Sequence, residues 1–228
     1  MSWVSNFLTS SIGQKLIMSL TGLFLILFLV VHLIGNLQLL MNDGGQAFNE
    51  YAYFMTHNKF IKTISYGLYA FIVIHAIQGI LIWRKNRMAR SSRYAVNKAN
   101  GASWASRNMG WLGVVILAFI LVHMYQFWLQ MKLGNTEMVS YGGNEIKDLY
   151  SLVSVAFQDV GFVIFYVASM IFIAFHLWHG FQSSFQSLGL NHKKYTPFIQ
   201  GLGKVYAIVV PLGFAIIPLV FFFMNKGA

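Results

Sequence analysis

Long apolar stretches separated by shorter polar ones form the main pattern of this chain. Five stretches hold about 20 or more mostly apolar residues, the length that a helix needs to cross a bilayer. They cover residues 14–40, 62–83, 109–131, 159–183 and 204–224. Little of the chain remains for a separate soluble domain. The pattern therefore predicts an all-α integral membrane protein with five transmembrane helices and one domain over residues 1–228.

Composition supports this prediction. Of the 228 residues, 57% are apolar and 10% are charged, whereas soluble domains carry about a quarter charged residues. The first apolar stretch is too long for a cleavable signal sequence, and we interpret it as the first span. The chain has no cysteine, which excludes a disulfide or a thiolate-bound iron–sulfur cluster on it. If electrons come from such a cluster, another subunit holds it.

Charge differs between the two sets of loops. Eleven of the 16 basic residues fall on one side of the predicted spans, and all six acids fall on the other. The positive-inside rule then predicts a cytoplasmic N-terminus and a C-terminus on the opposite side. The net charge of +10 fits lipid head groups or a cytoplasmic partner better than nucleic acid. The basic residues on the predicted cytoplasmic side are Lys15, Arg84, Lys85, Arg87, Arg90, Arg93, Lys98, Arg107, Lys193, Lys194 and Lys204.

Each of the first four apolar stretches carries a histidine at a matched depth: His32, His75, His123 and His176. A histidine inside a membrane normally faces the bundle interior, where it finds a partner. No Asp or Glu shares the membrane interior with these four. Two neutral imidazoles are what a six-coordinate haem iron needs. The pattern predicts two facing pairs and two b haems in a four-helix bundle made by the first four spans.

Helix rise sorts the histidines into pairs. Each lies about 12 Å inside its nearer membrane face, and the two layers lie about 15 Å apart. His75 and His176 fall in the cytoplasmic layer, whereas His32 and His123 fall in the outer layer. Two haems in these layers would form a transmembrane path for electrons. The alternative is four unrelated buried histidines, each hydrogen-bonded to a neighbouring helix, but their matched depths favour the pairs.

Further candidates surround these pairs. His179 shares a helix side with His176, but both cannot bind one iron from the same face. Depth favours His176, and His179 is expected to contact a propionate, a quinone or a backbone carbonyl. Haem carboxylates near the cytoplasmic face need cations. The expected haem-edge and propionate contacts are Ser19, Gly22, Arg84, Lys85 and Arg107.

Two other segments carry predictions. The loop 41–60 is polar and aromatic, and we expect a short amphipathic segment on the outer face there. The fifth span holds Pro211 and Pro218 but no histidine, and its only charge is that of its first residue, Lys204. We expect it to pack outside the four-helix bundle and to bend at its prolines.

Several stretches resemble the di-haem cytochrome b membrane anchor of succinate dehydrogenases and fumarate reductases that use menaquinone. These are HLIGNL at 32–37, AFN at 47–49 with FM at 54–55, and FH at 175–176 with Gly180 and Gly189 downstream. The resemblance covers nearly the whole chain, including the five spans and the histidine in each of the first four. Its fourth ligand region selects His176 over His179.

The resemblance implies a subunit of a succinate:menaquinone oxidoreductase in a bacterial inner membrane. A flavoprotein and an iron–sulfur subunit would dock on its cytoplasmic face, and a dimer of the whole complex is compatible with it. The chain itself would hold two b haems but no succinate active site. Succinate oxidation and fumarate reduction use the same architecture, so the direction of the reaction stays open.

The chain also departs from the family pattern. Some members carry a carboxylate for quinone protonation about twenty residues after the first ligand, where this chain has Thr56 and His57. His57 or Glu50 would have to serve quinone protonation instead. Some members have a glutamate two residues before the fourth ligand, where this chain has Ala174. A proton path through that position is not expected here.

Two alternatives belong to other classes. The chain could be the cytochrome b subunit of a hydrogenase, formate dehydrogenase or nitrate reductase, although one ligand per helix over four helices fits these less well. It could be a small transporter, but transporters coupled to protons or cations usually hold a membrane-embedded carboxylate. No acid lies deep in any apolar stretch, since Asp159 is the first residue of the fourth.

Overall fold

The computed structural model describes residues 3–89 and 103–226. The predictions made for Arg90, Arg93 and Lys98 lie outside the described residues. Within them the helices, in chain order, are α1 (Trp3–Thr9), α2 (Ser11–Leu37), α3 (Gln46–His57), α4 (Lys59–Met88), α5 (Trp104–His123), α6 (Gln130–Leu133), α7 (Leu149–Ala156), α8 (Val160–Ser187) and α9 (Thr196–Lys226). A 3₁₀ turn (Gln38–Leu40) extends α2, a π-helical stretch (Met124–Leu129) joins α5 to α6, and strands β1 (Met138–Tyr141) and β2 (Asn144–Lys147) form a hairpin.

Five of the helical segments described are long and apolar enough to cross a membrane. They cover Ser11–Leu40, Lys59–Met88, Trp104–Leu133, Val160–Ser187 and Thr196–Met224. The prediction of five apolar spans is therefore confirmed, and each helix extends beyond its predicted apolar stretch at one or both ends.

Polar caps explain where four of these helices begin. The side chains of Ser10, Asn58, Ser103 and Asp159 accept hydrogen bonds from backbone N–H groups of the first turns of α2, α4, α5 and α8. Such caps satisfy N–H groups that have no partner inside the helix. Because a capped first turn can be polar, α2, α4 and α5 begin before their predicted apolar stretches, whereas α8 begins within its own.

Four spans form a ring, with each helix antiparallel to its neighbours. In that ring α2 packs on α4, α4 on the segment beginning with α5, α5 on α8, and α8 on α2. The fifth span, α9, packs on α8 and α2, outside the ring, as predicted. Helix α9 continues through Pro211 and Pro218.

The buried side chains lie mainly where α8 meets its neighbours. One cluster around Phe119, Tyr166 and Phe221 joins α5, α8 and α9, and a smaller cluster around Ile26 and Phe181 joins α2, α8 and α9. Helix α4 contributes no residue to the buried set. It is therefore the least buried of the five spans.

The two ends of the bundle differ in structure and charge. One end carries α3, the hairpin and α7, together with the six acidic residues, and we call it the acidic end. The opposite end, where α1 precedes α2 and where α8 turns into α9, is called the basic end. Its described basic residues are Lys15, Arg84, Lys85, Arg87, Arg107, Lys193, Lys194 and Lys204.

Asn49 holds the acidic end together. This side chain is 1% exposed, and its Oδ1 accepts hydrogen bonds from the backbone N–H groups of Leu149 and Tyr150, both at 2.9 Å. Its Nδ2 donates to Asp148 Oδ1 at 3.0 Å and to the Tyr141 hydroxyl at 3.3 Å. One amide thus ties α3 to the hairpin and to the first turn of α7.

Asp148 caps α7 next to this amide. Its carboxylate accepts hydrogen bonds from the Ser151 backbone N–H at 3.0 Å and from the Ser151 hydroxyl at 2.6 Å. Partial burial by itself raises the pKa of Asp148, but the hydrogen bonds from Ser151 and Asn49 outweigh it and hold this pKa below its usual value.

The acidic end contains both a confirmed prediction and unpredicted elements. The short segment expected within 41–60 is α3. The hairpin was not predicted, and it adds a small sheet to a fold that is otherwise all-α. Its turn contains Gly142 and Gly143, with φ of 58° and 86°. A two-residue turn with positive φ at both positions is the type that closes hairpins, and glycine adopts it readily.

Candidate functional site

The four histidines of the spans form two ring pairs between the helices. Nearer the basic end, the rings of His75 on α4 and His176 on α8 have centres 6.3 Å apart and planes at 66°. Nearer the acidic end, the rings of His32 on α2 and His123 on α5 have centres 5.9 Å apart and planes at 85°. These are the two pairs that helix rise predicts. Iron binding by them stays a prediction.

Two contacts give the spacing between the pairs. Thr21 on α2 lies beside His75, and His32 follows eleven residues later on the same helix, which corresponds to about 16 Å. Tyr166 on α8 lies beside His123, and His176 follows ten residues later, which corresponds to about 15 Å. Two different helices thus give nearly the same separation between layers.

Aromatic rings surround the His32 and His123 pair. Phe28 stacks on the His32 ring at 5.1 Å, and Phe119 stacks on the His123 ring at 5.8 Å. The Phe214 ring of α9 lies 5.5 Å from the His32 ring. The fifth span therefore reaches this pair although it packs outside the ring of four helices.

Small residues bring the helices close at the His75 and His176 pair. A Cβ atom added to Gly22 would lie 3.3 Å from His75 Cε1 and 3.4 Å from Ser184 Oγ. Glycine at this position therefore leaves room for the His75 ring against α2. Ser19 is buried one turn earlier, and its hydroxyl donates to the Lys15 carbonyl at 2.9 Å.

Hydrogen bonds to the ring nitrogens differ between the four histidines. His75 Nδ1 lies 3.1 Å from the Thr21 hydroxyl, and His123 Nδ1 lies 3.4 Å from the Tyr166 hydroxyl. His32 Nδ1 lies 3.3 Å from the side-chain nitrogen of Asn36.

His176 is the exception among these rings. Its Nδ1 is buried and has no hydrogen-bond partner within the part of the chain that the structure describes.

The distance between ring centres in each pair would leave room for a metal held by both imidazoles. Two metal–nitrogen bonds of about 2 Å, each added to the distance from ring nitrogen to ring centre, give about 6 Å. Edge-to-face aromatic contacts cover the same range of distances, so the spacing is compatible with either arrangement. These are imidazoles in an apolar interior, and two of them have an Nδ1 beside a hydroxyl.

Residues 3–89 and 103–226 contain no cluster of three or more His, Asp or Glu side chains able to hold a metal ion. A haem needs no such cluster, since porphyrin supplies four of the six nitrogen ligands and the protein two.

The cationic candidates for propionate contact lie at the basic end. Arg84, Lys85 and Arg107 are all exposed, so they occupy the predicted end of the bundle without being enclosed in it. His179 is half-buried, one turn from His176 towards this end. Contacts of these four residues with a haem or a quinone stay predictions.

The candidates for quinone protonation lie on α3. Both Glu50 and His57 are exposed. Glu50 accepts a hydrogen bond from the Gln46 side chain at 2.8 Å. The His57 ring stacks on Tyr53 at 3.9 Å, and its Nδ1 lies 2.9 Å from the Tyr53 carbonyl. The structure places both residues at the acidic end, apart from the basic-end pair.

The structure also identifies residues that the sequence did not single out as site residues. Thr21, Tyr166 and Phe214 contact the histidine pairs, and Gln126 accepts a hydrogen bond from Tyr166 at 2.8 Å. Gln126 lies in the π-helical stretch that begins directly after His123. Such stretches are frequent at functional sites.

Comparison with family models, with curated proteins and with solved structures gives no match to this chain.

Proposed function

We propose that this chain is the membrane-anchor cytochrome b subunit of a succinate:quinone oxidoreductase. It carries two b haems and serves electron transfer between a cytoplasmic iron–sulfur subunit and menaquinone. The observation that carries the proposal is the presence of two histidine ring pairs inside one ring of apolar helices, with centres 6.3 and 5.9 Å apart. The stretches that resemble the family favour the succinate enzyme over other quinone-linked dehydrogenases.

The histidines are the residues that would hold the haems. His75 and His176 would bind one, and His32 and His123 the other. A haem with two histidine ligands supplies a low-spin one-electron carrier. Neutral imidazoles suit this role because the described spans contain no acidic side chain to pair with a charged ring.

The apolar side chains around the histidine pairs would also influence the haem potentials. Phe28, Phe119 and Phe214 pack around one pair, and Gly22 admits the His75 ring of the other. Packed rings exclude water, and the polarity around a haem is one of the features by which a protein sets its potential.

The ends of the bundle suit an anchor. Exposed cations at the basic end, including Arg84, Lys85, Lys193 and Lys194, offer a surface for an acidic subunit or for lipid phosphates. Exposed aromatic side chains occur near both ends, such as Trp104 at the basic end and Tyr66 at the acidic end. Aromatic side chains of this kind collect at the two interfaces of a bilayer.

The first experiment measures haem per chain in the complex purified from membranes. The wild type should contain two low-spin haems, and His75→Ala should retain one. A chain carrying both His75→Ala and His32→Ala should retain none. His192→Ala, which removes an exposed histidine of the α8–α9 loop, is the matched control and should keep both. A wild-type complex without haem would refute the proposal.

The subunits that co-purify distinguish the remaining candidates. A covalently flavinylated subunit with an iron–sulfur partner supports the succinate enzyme. A molybdenum or nickel subunit would assign the chain to a formate dehydrogenase, nitrate reductase or hydrogenase instead. A haem-free protein that purifies alone would favour the transporter.

A further inference from the structure

We propose that Thr21 and Tyr166 are positioning residues that fix the tautomers of His75 and His123. Each hydroxyl oxygen accepts the Nδ1 proton of its histidine, which leaves Nε2 as the nitrogen that can bind a metal. This inference rests on the proposed function and adds to it two residues that lie outside the ligand set.

The hydroxyl proton of Thr21 already has an acceptor. Thr21 Oγ1 donates to the Ile17 carbonyl at 2.7 Å, and the Met18 carbonyl lies at 3.2 Å. His75 Nδ1 lies 3.1 Å from the same oxygen. A hydroxyl has a single proton, so with that proton on the Ile17 carbonyl the Thr21 oxygen faces the ring as an acceptor. This arrangement places the His75 proton on Nδ1, and the Met18 carbonyl is a second hydrogen-bond partner of the ring.

Tyr166 on α8 makes the same arrangement with His123. Its hydroxyl donates to Gln126 Oε1 at 2.8 Å, and His123 Nδ1 lies 3.4 Å away. Since the Tyr166 proton is directed to Gln126, the phenolic oxygen faces His123 as an acceptor. Gln126 follows His123 by three residues within the π-helical stretch. The amide and the ring thus meet Tyr166 from the same segment.

Only one histidine of each pair has such a hydroxyl. His176 Nδ1 is buried and without a hydrogen-bond partner among residues 3–89 and 103–226. His32 Nδ1 faces an amide nitrogen of Asn36, which is a donor. Each pair therefore has one hydroxyl group beside a ring nitrogen, and separate substitutions can remove the two hydroxyls.

The chemistry of histidine ligands predicts the effect of each hydroxyl on the haem potential. A ligand histidine that donates its second ring proton becomes a more basic ligand, and its orientation is fixed. A more basic ligand favours the ferric over the ferrous state. Removing the acceptor should therefore raise the midpoint potential of the haem at that pair alone, because the other pair lies about 15 Å away along the helices.

The test is a redox titration of the haem spectrum in the purified complex. Thr21→Val keeps the shape of the side chain without the hydroxyl, and Thr21→Ser restores the hydroxyl. Tyr166→Phe removes the other hydroxyl. Ser169→Ala is the control, since this buried hydroxyl lies one turn from Tyr166 and donates to the Phe165 carbonyl. His75→Ala and His32→Ala assign each midpoint to its pair.

We expect Thr21→Val to raise the midpoint of the His75 pair and Tyr166→Phe that of the His123 pair. A tenfold change in the relative affinity for ferric and ferrous iron is a shift of 59 mV in a one-electron couple. Loss of only the matching haem, with both haems kept in Thr21→Ser, would also support the proposal.

Unchanged midpoints in Thr21→Val and Tyr166→Phe complexes that keep both haems would overturn the inference and leave the proposed function standing. A wild-type complex without haem would instead refute the proposed function.

Discussion

Replacing Asn49 with alanine should loosen the acidic end and leave the spans in place. The buried amide of Asn49 makes four hydrogen bonds that join α3 to the hairpin and to α7. Alanine keeps the helix but removes all four. The two backbone N–H groups at the start of α7, which belong to half-buried residues, then lose their acceptor.

The magnitude follows from those two groups. A buried donor left without a partner costs about 1–3 kcal/mol. Some relaxation is available at a bundle end, so we expect local opening of the hairpin and α7 to become easier by about 2–4 kcal/mol. Each 1.36 kcal/mol is a factor of ten. Amide exchange in these elements should therefore accelerate by about 30- to 900-fold.

Hydrogen exchange followed by peptide mass spectrometry measures this directly in the detergent-purified protein. Peptides from 138–156 should exchange faster in Asn49→Ala, and peptides from the middle of α8 should not change. Gln46→Ala is the matched control because it removes an exposed amide from the same helix. Exchange within threefold of wild type in peptides 138–156 would refute the role assigned to Asn49.

Three other predictions concern single side chains. Hydrogen bonds hold the pKa of Asp148 below its usual 3.8, so its contribution to stability is complete above that pH and is lost as pH falls through the folded value. Peptides 138–156 should therefore exchange faster, after correction for intrinsic rates, at about pH 3 than at about pH 6, and Asp148→Asn should reduce this difference. Gly22→Val should displace the His75 ring and remove one haem of two by pyridine haemochrome assay, whereas Gly113→Val, where an added Cβ meets nothing within 4 Å, should keep both. Tyr206→Phe removes a 2.6 Å hydrogen bond to a carbonyl of α2 and should cost about 0.6–1.7 kcal/mol, seen as a lower thermal midpoint in detergent, and an unchanged midpoint would contradict it.

Much of the architecture could be predicted because it depends on regular quantities. The length of an apolar stretch indicates a span, and the constant rise of a helix converts residue number into depth. His75 and His176 could therefore be paired from sequence although they are about a hundred residues apart. The ring pairs of the structure are the same two pairs.

Other features could not be predicted because they depend on rotation and on local contacts. Thr21 is one of many hydroxyl residues in apolar stretches, and only the packing of α2 on α4 brings it to His75. Phe214 is one of 21 phenylalanines, and its place beside His32 depends on how α9 is turned. The hairpin did have a sequence signal, because Gly142-Gly143 is a dipeptide typical of two-residue hairpin turns and lies close after Val139 and Tyr141, residue types common in strands.

The most direct test of the central claim is a reductive titration of the wild-type complex, with haem and protein quantified in the same sample. Two haems per chain, titrating as two one-electron components with the spectrum of low-spin b haems, are the predicted result. A complex without haem, or with a single haem that survives replacement of either histidine pair, would contradict the account.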